Sequence, residues 1–224
     1  MLEIDTPFGT ANVHRNSAEE PRAALVLGHG AGGGVQAKDL VAVAGVAHSV
    51  QLSVALVEQP YRVAGRRSPA PAHQLDAAWT AVIDHLIAGD FRGLSLLVGG
   101  RSAGARVACR TAETTGAVGV LCLAFPLQPP RRSGATPAQS RLPELDAVTI
   151  PVLVVQGTRD PFGMPPASER RTVVQVAGDH SLRTDLDAVS QAVGDWLLGI
   201  VTDGFGSGAR RREYRNRAGP ERPQ

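Results

Sequence analysis

The feature that most constrains this fold is a serine flanked by glycines, in Gly100-Arg101-Ser102-Ala103-Gly104. The apolar run Leu94 to Val98 precedes it, and a helix-like stretch from Ala105 to Thr115 follows. On such a strand-to-helix turn the serine is pushed out of the sheet with its hydroxyl exposed, and the glycines let neighbouring backbone pass close by. The pattern predicts a nucleophile at Ser102; the alternative is a glycine-lined turn whose serine has no chemical role.

Two further apolar runs place candidate partners for this serine just beyond strand ends. Val152 to Gln156 leads to Asp160, and Thr172 to Val176 leads to His180. Because a parallel sheet gathers the C-terminal ends of its strands along one edge, residues far apart in sequence converge there. The order predicts Ser102 as nucleophile, His180 as general base and Asp160 as the acid that orients the imidazole.

Each partner has an alternative interpretation. Asp160 precedes Pro161, and an Asp-Pro pair often only starts a turn. His180 precedes helix-start signals and would then be a surface loop histidine. Asp179 is a rival acid, although a side chain directly beside His180 in an extended loop is expected to point away from it.

A second glycine-rich segment, Gly28 to Gly34, follows the short apolar strand Ala24 to Leu27. In a serine hydrolase such a turn contributes a backbone N–H to the oxyanion hole, here from Ala31, with Gly32 as the alternative donor. The other donor is the N–H of Ala103, at the start of the helix that follows the nucleophile.

The same segment also satisfies the G-x-G-x-x-G pattern of dinucleotide-binding folds, through Gly28, Gly30 and Gly33. Glu58 ends the next strand, at a spacing suited to ribose hydroxyls. The competing hypothesis is therefore a nicotinamide- or flavin-linked oxidoreductase. Residues 34–37 delay the next helix, whereas pyrophosphate binding favours a helix that begins within the motif. A hydrolase without a cofactor is the preferred interpretation.

With these motifs the chain resembles the small, dienelactone-hydrolase-like α/β-hydrolases, and more narrowly a hydrolase-like family that includes testis-expressed proteins, a chromatin-complex regulatory subunit and bacterial relatives. The resemblance covers about residues 20 to 200. Its motifs are Leu27–Gly32, Pro60–Arg62 with Gly65–Arg67, Gly99–Gly104, Phe125–Pro130, Gln156–Asp160 and Gly178–Leu182. It implies an α/β-hydrolase fold, a mostly parallel sheet with helices on both faces, and a Ser102, Asp160, His180 triad. Some relatives are scaffolding subunits, so a non-catalytic binding protein stays an alternative.

Two loops are expected to shape the substrate pocket, Glu58 to Pro71 and Phe125 to Pro151. The second is too short and proline-rich for a separate lid domain, so the sequence predicts an open site for a small-molecule substrate. The candidate substrate contacts are Gly32, Tyr61, Arg62, Arg101 and Leu127.

Composition favours a single soluble domain, since the chain has 224 residues of which 43% are hydrophobic. We expect the domain to span residues 1–202 and an arginine-rich tail, residues 203–224, to be disordered, because the tail has almost no apolar side chains to bury. No aromatic platform accompanies its arginines beyond Tyr214, so no nucleic-acid partner is expected.

No membrane association, secretion or metal binding is expected. The uncharged segment Leu40 to Val57 is interpreted as a helix followed by a strand, and no signal-peptide pattern opens the chain, which predicts a cytoplasmic protein. Cys109 and Cys122 are expected to be reduced core thiols, and the sequence has no Cys or His cluster with metal-ligand spacing.

Overall fold

The structure, a computed structural model, describes residues 1–129 and 139–216, with side chains as far as residue 202. In this part of the chain the strands are β1 (Leu2–Thr6), β2 (Gly9–Asn16), β3 (Ala23–Gly28), β4 (Leu52–Glu58), β5 (Leu96–Arg101), β6 (Gly119–Leu123), β7 (Val152–Gly157) and β8 (Arg171–Val176). The helices are α1 (Lys38–Ser49), α2 (Pro60–Val63), α3 (Ala72–Ala88), α4 (Ala103–Thr111), α5 (Leu142–Asp146) and α6 (Leu186–Asn216).

The strands form one mostly parallel sheet in the order β1-β2-β4-β3-β5-β6-β7-β8. Strand β1 pairs antiparallel with β2, and β2 pairs antiparallel with β4, whereas β4 through β8 pair in parallel. Parallel strands require crossover connections, and here α1, α3 and α4 lie in such crossovers, whereas α6 follows the last strand. The carboxyl ends of β3, β5, β7 and β8 therefore lie along one edge of the sheet.

Both faces of the sheet are covered, which explains why the central strands are apolar at almost every position. Successive side chains of a strand point to opposite faces, so Leu25 and Leu27 of β3 enter one core while Ala24 and Val26 enter the other. The first core is completed by α1 and α6, and the second by α3 and α4. The predicted α/β architecture with helices on both faces is confirmed.

Strand β5 extends beyond its apolar run, because Gly99 and Gly100 belong to the strand rather than to the turn. A side chain at Gly99 would collide with the carbonyl oxygen of Leu121 in β6. Helix α4 accordingly starts at Ala103, two residues earlier than the apolar pattern predicts. This shift places Ser102 directly between the last residue of a strand and the first residue of a helix.

No separate lid domain is present in the described part of the chain, as predicted. Residues 130–138, in the middle of the loop that follows β6, lie outside that part. No helix among the described residues is long and apolar enough to cross a membrane.

Helix α6 continues to Asn216, beyond residue 202 where the sequence predicts the domain to end. Residues 217–224 lie outside the described part of the chain, and the predicted disorder of the tail stays a prediction.

Candidate active site

The turn between β5 and α4 holds Ser102 in a conformation that serine seldom adopts. Its φ is 52° and its ψ is −106°, and its N–H donates to the carbonyl oxygen of Leu123 at 2.9 Å. A side chain at Gly104 would collide with the carbonyl oxygen of Gly28. The flanking glycine is thus required because β3 passes directly against the start of α4.

The three residues predicted to act together are joined by two hydrogen bonds, both of which involve His180. The Ser102 Oγ lies 2.9 Å from Nε2 of His180, and the Nδ1 of His180 lies 2.8 Å from Oδ2 of Asp160. A carboxylate accepts, so the Nδ1–H donates to Asp160 and leaves Nε2 free to accept from the serine hydroxyl. This is the arrangement that a nucleophile, a base and an orienting acid need.

Asp160 is almost completely buried, with its side chain 1% exposed, and it is held from three directions. Besides His180, its carboxylate accepts the side-chain amide of Gln156 at 2.9 Å and the backbone N–H of Phe162 at 2.9 Å. The same nitrogen of Gln156 lies 3.1 Å from the carbonyl oxygen of Phe125 and 2.9 Å from that of Gly163, so its two hydrogens are shared among three acceptors and connect the end of β7 to the loop after β6. These contacts fix the carboxylate before any substrate arrives.

The rival acid, Asp179, is exposed and faces away from the imidazole. Its Oδ1 accepts the N–H of Ser181 at 2.9 Å and the hydroxyl of the same residue at 2.6 Å. These hydrogen bonds, the hydroxyl first, lower the pKa of Asp179. The carboxylate closes a local turn, in agreement with the expectation that a neighbour of His180 points elsewhere.

The backbone N–H groups of Ala31 and Ala103 have no hydrogen-bond acceptor among the residues whose side chains are described. The Ala31 amide is oriented through its own peptide plane: His29 Nδ1 lies 2.8 Å from the carbonyl oxygen of Gly30, and C=O and N–H of a trans peptide point in opposite directions. The Nε2 of His29 accepts the N–H of Gln59 at 3.1 Å, which identifies Nδ1 as the protonated atom. Burial lowers the pKa of His29 and keeps the ring neutral.

Tyr61 holds the next peptide of the same turn, and substrate contact by Tyr61 stays a prediction. Its side chain is buried, and its hydroxyl donates to the carbonyl oxygen of Ala31 at 2.9 Å. Burial raises the pKa of Tyr61 to about 12, so the phenol keeps its proton. Because this contact orients the N–H of Gly32, both predicted donors of the turn, Ala31 and Gly32, are held in place.

The guanidinium of Arg101, another candidate substrate contact, bonds to protein groups, and its contact with substrate stays a prediction. Its Nη2 donates to the carbonyl oxygen of His180 at 2.8 Å, and its Nε forms an ion pair with Asp39 at 2.8 Å. The Asp39 side chain is 1% exposed, whereas that of Arg101 is 17% exposed. The guanidinium is therefore occupied by protein groups from two other segments.

The three remaining candidate contacts are nearer to solvent. Gly32 is exposed, with open space where a side chain would stand. Leu127 is half-buried and packs beside Gly163, in the loop that follows Asp160. The side chain of Arg62 is half-buried, and its Nε has no hydrogen-bond partner among the described residues. Substrate contact by Gly32, Arg62 and Leu127 stays a prediction.

The glycine-rich segment packs as part of the serine turn rather than as a separate loop. Gly28 belongs to β3, and a side chain there would come within 3.3 Å of the Cα of Gly104. The next helix, α1, begins only at Lys38, in agreement with the delay that argues against a pyrophosphate site. The first glycine of the dinucleotide-like pattern is thus accounted for by contact with the helix that follows Ser102.

Sequence reasoning assigned no individual role to three residues that shape this site, Asp39, Gln156 and Phe162. The Phe162 ring lies 4.3 Å from the imidazole of His180, measured between centroids, at an interplanar angle of 40°. A polar residue inside an otherwise apolar strand was the available signal for Gln156. Nothing local marks Asp39 or Phe162, because their partners come from distant segments.

Comparisons with known proteins agree with this geometry. The family model described as alpha/beta hydrolase domain matches residues 21–190. A search of curated proteins found no match.

Solved structures share the fold at low sequence identity. Est1E of Butyrivibrio proteoclasticus, with ferulic acid bound, has a TM-score of 0.74 and 16% identity, and the match covers 91% of this chain and 100% of that chain. A serine hydrolase without lid from Xanthomonas campestris has a TM-score of 0.68 and 19% identity, covering 87% and 93%. The dienelactone hydrolase of Anabaena variabilis has a TM-score of 0.70 and 15% identity, covering 88% and 95%. The family match over most of the chain shows that the chain belongs to the α/β-hydrolases, and these solved structures share its fold.

Proposed function

We propose that this protein is a serine hydrolase that cleaves an ester or another activated acyl bond of a small molecule, by way of a covalent acyl-enzyme. The observation that carries the proposal is the pair of hydrogen bonds that joins Ser102, His180 and Asp160 at 2.9 and 2.8 Å. A hydrolase-fold protein that only binds partners has no need of that alignment.

In the first half of the reaction the Oγ of Ser102 attacks the acyl carbon, and its proton passes to Nε2 of His180. The negative charge that develops on the acyl oxygen accepts hydrogen bonds from the backbone N–H groups of Ala31 and Ala103. His180 then gives the proton to the leaving group, and the acyl group stays on Ser102. Asp160 stabilises the imidazolium that forms between these two transfers.

In the second half a water molecule replaces the leaving group. His180 takes a proton from this water, the resulting hydroxide attacks the acyl carbon, and the same oxyanion donors stabilise the new tetrahedral intermediate. Collapse breaks the bond to Ser102, whose Oγ recovers the proton from His180. The products are a carboxylic acid and the free enzyme. No cofactor or metal takes part in this scheme, and we expect the reaction to occur in the cytoplasm.

The test combines a fluorophosphonate probe with turnover of short p-nitrophenyl esters. We expect the probe to label Ser102 alone, as located by peptide mapping, and Ser102→Ala to lose labelling and at least about three orders of magnitude in esterase rate. Ser49→Ala removes an exposed serine of α1 and serves as the control, with labelling and rate unchanged. Thermal melts should be close to wild type for both variants.

Three results distinguish the hypotheses. Labelling at Ser102 with turnover supports a hydrolase. Absence of labelling in the folded wild-type protein favours the non-catalytic alternative, in which the fold binds a partner. Calorimetric binding of a nicotinamide or flavin cofactor at micromolar affinity would instead restore the oxidoreductase hypothesis for the Gly28 to Gly33 segment.

A further inference from the structure

We propose that Arg101, together with Asp39, is a positioning residue that holds the base loop and the oxyanion turn in register with Ser102; this inference rests on the proposed hydrolase function. The base loop is residues 177–185, which carry His180. The oxyanion turn is residues 29–33, which carry the Ala31 amide.

The three nitrogen atoms of the Arg101 guanidinium lie against three different segments. Nη2 donates to the backbone carbonyl oxygen of His180 at 2.8 Å. Nη1 lies over the α-carbon of Gly30, so close that a side-chain carbon there would come within 2.8 Å of it. Nε faces Asp39 of α1 at 2.8 Å. A single side chain thus touches the base loop, the oxyanion turn and a helix of the core.

Asp39 fixes the direction in which the guanidinium of Arg101 points. Its Oδ1 accepts the N–H of Leu40 at 3.0 Å, and its Oδ2 faces Arg101 in an ion pair whose N–H is too poorly aligned to count as a hydrogen bond. Burial raises the pKa of Asp39, and the charge of Arg101 opposes that rise. A nearly fully buried carboxylate is costly unless a cation accompanies it, so each group constrains the other.

Arg101 occupies a rigid position in the chain. It is the last residue of β5 and is bonded directly to Ser102, so its backbone is as rigid as the sheet. The base loop and the oxyanion turn lie at the ends of β8 and β3, and neither is part of a strand or helix. The other contacts that hold the base loop are the N–H of Arg159, which donates to the carbonyl oxygen of Gly178 at 2.8 Å, the buried side chain of Leu182, and the hydrogen bond from His180 to Asp160.

Arg101 touches neither the serine hydroxyl nor the expected acyl group, so it acts through His180 and Gly30. Loss of such a residue lowers kcat through misalignment and leaves ground-state binding, and hence KM, nearly unchanged. Lysine is a poor substitute, because its single ammonium nitrogen cannot contact three separate segments, as the three coplanar nitrogen atoms of the guanidinium do.

The test uses the double variant D39N/R101M, which removes both charges and leaves no unpaired carboxylate in the core. Its control is D76N/R110M, which removes another ion pair, between Asp76 of α3 and Arg110 of α4. Arg110 also pairs with Glu144, which keeps Arg106 as its partner in this variant. Both variants are measured by thermal melting, ester kinetics and hydrogen exchange of the two loops. Exchange is measured in the Ser102→Ala background, where turnover plays no part.

For D39N/R101M we expect a melting temperature close to that of wild type, kcat lower by at least about tenfold, and KM within about threefold. Exchange in the base loop and in the oxyanion turn should be faster by at least about tenfold, and D76N/R110M should show none of these changes. If the double variant does not fold, Arg101→Lys, which keeps a cation beside Asp39, is expected to give the same split between kcat and KM.

The proposal is overturned if the kcat of D39N/R101M stays at the wild-type value, if exchange in both loops stays at the wild-type rate, or if D76N/R110M shows the same changes. If the wild-type protein neither hydrolyses esters nor reacts with the fluorophosphonate, the proposed function fails. Hydrogen exchange then decides by itself whether Arg101 holds the two loops.

Discussion

Ser102 adopts a backbone conformation that an isolated serine would avoid. A positive φ at a residue with a Cβ costs on the order of 1–3 kcal/mol and persists only where the surroundings enforce it. Here the enforcing contacts are the hydrogen bond from the Ser102 N–H to Leu123 and the tight approach of Gly104 to Gly28. The strain exposes the hydroxyl to His180, and the same turn leaves the Ala103 amide without an acceptor among the residues that the structure describes.

The two candidate acids differ in what their carboxylates contact, and this gives a prediction. Asp160→Asn replaces the acceptor of the imidazole Nδ1–H with an amide, which favours the wrong tautomer of His180. We expect the esterase rate to fall by at least about two orders of magnitude. Asp179→Asn should stay within about tenfold of wild type, because that side chain bonds only to Ser181 among its described neighbours.

The measurement is kcat/KM on the same ester for both variants, after circular dichroism has shown native folding. Asp179→Asn serves as the control for Asp160→Asn, because it makes the same carboxylate-to-amide change at the residue adjacent to His180. A greater loss in Asp179→Asn than in Asp160→Asn would mean that the acid has been assigned to the wrong residue.

At the scale of elements, the site depends on how closely β3 and α4 approach each other. Gly28, Gly100 and Gly104 let the two segments touch through their backbones, and a side chain at Gly100 or Gly104 would meet the carbonyl oxygen of Gly28. This contact sets the distance between the oxyanion turn, which follows β3, and Ser102, which precedes α4. The glycines of both motifs therefore serve one interface.

We predict that Gly104→Ala destabilises the fold by about 1–3 kcal/mol, since the new methyl group meets rigid backbone rather than a side chain that can turn aside. The esterase rate should fall too, because relief of the clash moves Ser102 relative to the Ala31 amide. Chemical denaturation and ester kinetics measure the two effects.

Gly45→Ala is the matched control. Gly45 lies within α1, and a Cβ there meets no atom within 4 Å. This change should stabilise the protein by about 0.5–1 kcal/mol through helix propensity alone. Equal effects of the two substitutions would show that close packing does not explain Gly104.

At the scale of the whole molecule, stability towards acid depends in part on one buried histidine. His29 is 3% exposed, and burial lowers its pKa from the ordinary value of 6.5. In the unfolded chain it binds a proton as pH falls through 6.5, whereas in the folded protein it binds one only at lower pH. Its contribution to stability is present above pH 6.5 and is lost as pH falls from there through the folded-state pKa.

The prediction is that the melting temperature declines between pH 7 and pH 5, and that His29→Gln flattens this decline by removing up to about one proton of uptake on unfolding. Glutamine retains an oxygen that can accept the N–H of Gln59, although overall stability is expected to drop. His85→Gln, which removes an exposed histidine of α3, is the control. An unchanged slope in His29→Gln would show that this residue does not set the acid limit.

Local patterns in the sequence determined most of the architecture. The apolar runs predicted the six parallel strands between Ala23 and Val176, the helix start at Lys38, and the glycine-flanked turn at Ser102. They also placed Asp160 and His180 beyond strand ends. These features depend on neighbours in sequence, since strand periodicity and the conformational freedom of glycine act over a few residues.

Tertiary structure decided what each side chain contacts. The polar groups of Tyr61 and Arg101, two candidate substrate contacts, bond to Ala31, Asp39 and His180. The choice between Asp160 and Asp179, and the support from Gln156 and Phe162, likewise depend on residues from separate strands and loops meeting at one sheet edge. A sequence pattern predicts which residues lie at that edge. Which of them pair depends on how segments far apart in the chain pack together, because hydrogen bonds and ion pairs form only at short distance.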